Sequence, residues 1–169
     1  MKKIVVAFTV ILFVVVSLAY AEDRGTPAEA KAMLDKAVAF YKANGPEKAV
    51  AAFNDPKGPF VHKDLYIFAV DMKGKIIAHS IKPGLIGKSS REIRDADEMD
   101  FIDMMVTVAK TKGAGTVDYR WENPETLVVE KKTSYIEKVD GLVLGCGYFK
   151  AYDWQRSAKP FESPEWWQR

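Results

Sequence analysis

Apolar positions first recur at helical spacing. Ala30, Met33, Leu34, Ala37, Val38 and Tyr41 form one stripe. Thr26 supplies a cap, Pro27 suits the first turn, and Glu29 completes a capping box. Gly45-Pro46 ends this helix, and a short second helix is predicted over Pro46 to Phe53. The period then changes to two. "LYIFAVD", "KGK" and "IIAHS" predict a β-hairpin with Gly74 at its turn. "EMDFIDMMVTVAKTKG" returns to helical spacing, with Phe101, Met104, Met105 and Val108 as the expected buried stripe and Gly113 as the stop. Three strands follow, Gly115 to Glu122, Thr126 to Val139 and Leu142 to Tyr152, with turns at Asn123-Pro124 and Asp140-Gly141. Their short connections make them antiparallel neighbours. The pattern predicts an α+β domain with one five-stranded antiparallel sheet and helices packed against it.

The segment before this pattern has another character. Lys2 and Lys3 precede an apolar run from Ile4 to Leu18, and "AYA" closes it at Ala21. This describes a signal peptide cleaved after Ala21, giving a periplasmic or secreted chain. The alternative is an uncleaved N-terminal tether, although the run is short for a membrane span of roughly 20 residues. Without Lys2 and Lys3, the 25 basic residues fall to equality with the 23 acidic ones, so charge points to no nucleic-acid partner.

Cys146 is the single cysteine, so an exported chain has no internal disulfide. Its setting in "LVLGCGYF" reads as a buried strand. His62 and His79 are the two histidines and build neither a zinc nor a haem motif. No phosphate loop, dinucleotide fingerprint or nucleophile elbow is present, so the expectation is a protein without cofactor, metal or catalytic residues. Asp95, Asp97, Glu98 and Asp100 cluster without the glycine and glutamate of a calcium loop; a solvated helix start is expected there. Residues 153–169 form a tail carrying Trp154, Trp166 and Trp167. It either packs back on the sheet or offers a surface to a protein partner.

Alternation puts Val117, Tyr119 and Trp121 on one face of their strand, and Tyr66, Phe68 and Val70 on one face of theirs, while His79 aligns with Ile77. Such a face is either a hydrogen-bonded core or the wall of a small cavity. Lys132 lies on an apolar-flanked strand, where a buried amine is costly unless it meets an anion. Tyr135 is three residues further on, so the two share a pocket only if a bulge or twist intervenes.

The blocks "YIFAVDMKGKIIAHS", "GLIGKSSREIRDADEMDF", "AKTKGAGTVDYRWENP", "KKTSY" and "GLVLGCGYF" resemble, in order and spacing, a single-unit Cache domain. This is the extracytoplasmic sensor domain of bacterial chemoreceptors and histidine kinases. The likeness runs from about Ala30 to Tyr152. It departs at Ser80, where the family often has proline, and at Phe149, where a phenyl ring replaces a phenol. The resemblance implies a long N-terminal helix, with one further helix packed on a PAS-like sheet. It also implies binding of a small ligand, a short-chain carboxylate, with the signal passed to a membrane receptor or sensor kinase in chemotaxis or signal transduction; a dimer is compatible with it. Carried onto this chain, the ligand-binding residues are Tyr66, Phe68, His79, Tyr119, Trp121, Lys132 and Tyr135, with Lys132 holding the carboxylate. The expected layout is a signal peptide over 1–21, one sensor domain over 22–152 and the Trp-rich tail over 153–169, exported as a stand-alone module.

Overall fold

The structure, a computed structural model, describes residues 24–150. The expected signal peptide and the Trp-rich tail lie outside the described residues. Helix α1 spans Pro27–Asn44 and begins with the Thr26–Glu29 capping box. Helix α2 spans Pro46–Phe53, and α3 spans Phe101–Lys112. The strands are β1 (Val61–His62), β2 (Leu65–Asp71), β3 (Ile76–His79), β4 (Ala114–Glu122), β5 (Val129–Val139) and β6 (Leu142–Phe149). The antiparallel sheet runs in the order β1-β2-β6-β5-β4, and β3 also pairs with β2. Because β2 returns to the sheet centre beside β6, chain-distant segments meet in the middle of the molecule.

Both faces of the sheet are covered. α1 and α2 bury Leu34, Ala37, Val38 and Phe53 against Leu65, Ile67, Ala69, Leu144 and Cys146. On the other face α3 covers Tyr66, Phe68, Val70, Val117, Tyr119 and Val143. The α+β expectation with a PAS-like antiparallel sheet holds, and the sheet carries a sixth strand, the two-residue β1.

Several expected boundaries shift for local reasons. α3 turns Phe101, Ile102, Met105, Val106 and Ala109 inward, whereas Met104 is 44% exposed and Val108 only half-buried. A helix of this length has one inward stripe, and two adjacent methionines cannot both lie on it. β5 starts at Val129 rather than Thr126 because Asn123 closes a wide turn: its N–H donates to the Val128 carbonyl at 2.9 Å, and its carbonyl accepts from Leu127 N–H at 2.8 Å. The acidic cluster precedes α3 instead of starting it. Asp95 is buried, and its carboxylate accepts backbone N–H groups of Asp97, Met99 and Arg120 at 2.8–2.9 Å. These donors hold its carboxyl below the usual range despite burial, and they clip the loop onto β4.

Candidate ligand-binding site

Strand parity decides what each face presents. The regular β4–β5 register sets Tyr119 opposite Lys132, and Trp121 opposite Glu130. Lys132 pairs in turn with Phe149 on β6. Tyr66, Phe68, Tyr119, Trp121 and Lys132 therefore belong to the face under α3. Tyr135 pairs with Cys146 and packs with the α1 side, its ring 6.0 Å from that of Tyr148. The register from Glu122↔Val129 to Ala114↔Glu137 has no bulge, so Lys132 and Tyr135 point to opposite faces. The expectation that Tyr135 lines the pocket is thereby corrected.

Under α3 lies a small cavity. β2 and β3 contribute Tyr66, Phe68, Val70, Ile76 and His79; β4 contributes Tyr119 and Trp121; α3 closes it with Phe101, Ile102 and Met105. Its free volume of 20 Å³ suffices for about one water. The rings interlock: Phe101 stacks on Tyr119 at 4.4 Å, Trp121 lies 5.3 Å from Phe101, and Tyr66 lies 4.9 Å from His79. The α3 residues escaped the sequence reading of the site. Phe101 and Met105 were legible as a buried stripe four residues apart, but not the sheet face that this stripe would meet.

The polar tips in this apolar wall are few. Tyr119 OH and Ser134 Oγ are hydrogen-bonded at 3.0 Å, and burial raises the Tyr119 phenol. Burial also raises the Tyr66 phenol well above its usual range. His79 is buried and pushed down to about 3, first by burial and then by the charges of Lys132 and Lys82. Its ring is therefore neutral at ordinary pH. Its Nδ1 accepts the Lys82 N–H at 3.1 Å, which leaves the proton on Nε2 as a donor.

Lys132 is the unusual member. It is 1% exposed, and its Nζ makes no hydrogen bond among the described residues. The amine sits 3.8 Å from the centre of the Tyr66 ring and 4.6 Å from that of Phe149. Burial pushes it down to about 7. The sequence makes room for this placement with glycine: a Cβ on Gly147 would stand 2.4 Å from Lys132 Cε, and one on Gly145 would stand 2.2 Å from the Phe68 ring. Lys132 is not part of the cavity wall; its amine lies against the ring of Tyr66, which is.

Outside the cavity an open depression of 260 Å³ is lined by Lys82, Arg94, Asp95, Arg120, Trp121 and Glu122, among others. Trp121 lines both spaces. The Lys82 amine lies 5.4 Å over that indole and pairs with Glu122 at 2.8 Å. Of the seven residues expected at the site, five line the cavity, Lys132 stands directly behind one of those five, and Tyr135 lies on the far face.

Comparison with known proteins bears on the family and the fold. The family model for single Cache domain 2 matches residues 3–155. The chain is 35% identical over 88 residues to the methyl-accepting chemotaxis protein McpP of Pseudomonas putida, a match covering 51% of this chain and 16% of that protein. The fold resembles a methyl-accepting chemotaxis protein from Vibrio parahaemolyticus with a TM-score of 0.61 at 24% identity, over 72% of this chain and 86% of that one. A second solved structure, described as the structural basis for carboxylic acid recognition by a Cache chemosensory domain, matches with a TM-score of 0.55 at 25% identity. That match covers 88% of this chain and 97% of the other.

Proposed function

This chain belongs to the single Cache domain 2 family of extracytoplasmic sensor domains, and on that premise we propose that it is a sensor module whose inner cavity captures a short-chain carboxylate. The observation that carries this reading is the Lys132 amine, buried without a hydrogen-bond partner beside an aromatic cavity. A buried amine costs several kcal/mol unless an anion meets it. A carboxylate reaching Lys132 would supply the partner it lacks, and the His79 Nε2–H and Tyr119 hydroxyl are further donors. Tyr66, Phe68 and Trp121 would enclose the carbon tail and limit its length. Carboxylic acid recognition by a structural neighbour supports the ligand class.

Ligand entry requires movement. The 20 Å³ cavity is smaller than even a two-carbon acid, and Lys132 lies outside its wall, against the Tyr66 ring. Binding therefore selects a state in which Tyr66 and Trp121 have shifted, and that shift is the event passed to a membrane receptor or sensor kinase. The test is a thermal-shift series with acetate, propionate, pyruvate and lactate. A ligand selective for the folded state raises the melting temperature, and Lys132→Met abolishes the rise. No rise at saturating concentration of any of these acids would refute the carboxylate assignment.

A further inference from the structure

We propose that the β4–β5 turn is a lipid-contacting surface: Leu127, Val128 and Val129 meet the bilayer at the end of the domain where Arg24 and Lys150 lie. These three consecutive apolar residues are 73%, 56% and 40% exposed. An apolar patch on a domain surface calls for an occupant. The tip is also held rather than loose. Asn123 braces the turn through the bonds to Leu127 and Val128, through its Oδ1 to Glu125 N–H at 2.9 Å, and through its Nδ2 to Asp64 and Glu130 at 3.2 Å. Leu127 itself sits at φ 58°, a left-handed conformation that a branched side chain adopts at a cost.

The choice of occupant follows from where the chain leads. Arg24 pairs with Glu130 beside this turn, and Gly25 N–H donates to Asp64 at 2.7 Å. Lys150 N–H donates to the Lys131 carbonyl at 2.9 Å, which brings the end of β6 to the same place. Where the N-terminal segment is left uncleaved as a tether, its apolar run Ile4 to Leu18 ends six residues before Arg24, about 20 Å of extended chain. The sequence beyond Lys150 carries Trp154, Trp166 and Trp167, the residue type favoured at the boundary between water and lipid. Lys131 is exposed nearby and is suited to an anionic head group, whereas the exposed Lys150 amine already pairs with Asp118 at 3.4 Å. The opposite end of the sheet, the β2–β3 turn at Lys73, shows exposed lysine rather than an apolar tip.

The test uses the full chain in vesicles of phosphatidylethanolamine and phosphatidylglycerol whose acyl chains carry a quencher. Leu127→Cys and Lys73→Cys are each labelled with an environment-sensitive dye. Cys146 is buried, and burial pushes its thiol up to about 12, so it stays unlabelled. The expected result is several-fold stronger quenching at position 127 than at position 73. Equal quenching at both, or none at either, overturns the proposal. So does a dye at position 127 that becomes shielded without vesicles as protein concentration rises, because the occupant would then be a second copy of the chain.

Discussion

The two faces of this sheet are built from alternate residues of the same strands, yet they are different kinds of interior. Under α1 and α2 the strands bury Leu65, Ile67, Ala69, Leu144 and Cys146, small and aliphatic groups with no polar atom beyond a thiol, while Tyr135 and Tyr148 pack against them only partly buried. Under α3 they offer Tyr66, Phe68, Tyr119 and Trp121, with Lys132 among them. The pattern of β6 shows the division most compactly. Cys146 points to the helix-packed face, while Gly145 and Gly147 leave the other face bare so that the Phe68 ring and the Lys132 stem can lie flat. One face is selected for closure. The other keeps a destabilising amine and a small void that closure alone would have removed.

The largest effect that tests this contrast comes from the closed face. Phe53 is fully buried, 4.9 Å from the Phe60 ring. Phe53→Ala should cost about 3–5 kcal/mol in denaturant unfolding. The carboxylate preference order should be unchanged, since Phe53 touches nothing under α3. A change in that order would contradict the separation of the two faces.

Next in size, and opposite in sign, is Lys132→Met. Removing a buried, unpartnered amine should stabilise the ligand-free protein by about 1–4 kcal/mol at pH 6. The gain depends on pH. The unfolded amine keeps its proton to near 10.4, whereas the folded one loses it above about 7. Between those values the unfolded chain binds more protons, so wild-type stability rises with pH through this window. In Lys132→Met that contribution is absent. Urea unfolding of both proteins at pH 6 and pH 9 checks the sign: the difference between them should shrink at the higher pH.

The smallest effects concern two tyrosines of opposite parity. Tyr119→Phe removes the hydroxyl bonded to Ser134 and should cost about 1 kcal/mol of stability, with a weakened carboxylate affinity. Tyr135→Phe should leave affinity unchanged in calorimetric titration, because that side chain packs on the α1 side. An equal loss of affinity in both would break the assignment of faces.

The same parity explains what the sequence could reveal. Helix caps, hairpin turns and the alternation of β2 and β4 were legible because each is a local signal, and the order of blocks gave the family. The face of Tyr135 was also decidable, since an odd offset from Lys132 in a regular strand puts it opposite; only an irregularity that the register does not contain could have joined them. Other features depend on contacts between distant segments. Phe101, Ile102 and Met105 line the cavity because α3 happens to lie across β2 and β4, which no local period encodes. The role of Asp95 was equally hidden, since its acceptors serve a donor on Arg120, 25 residues away. The Leu127 tip read as the start of a strand because three apolar residues in a row suit a strand better than a turn.

The central claim is that the Lys132 amine is the buried cation a carboxylate seeks. The most direct measurement is the NMR titration of its side-chain Cε resonance, assigned by loss in Lys132→Met, with and without saturating propionate. The account predicts a midpoint near 7 in the free protein and a clear upward shift in the complex, with affinity falling as pH rises above 7. A midpoint near the ordinary lysine value in both states would contradict it, since that amine would be neither buried nor engaged by the ligand.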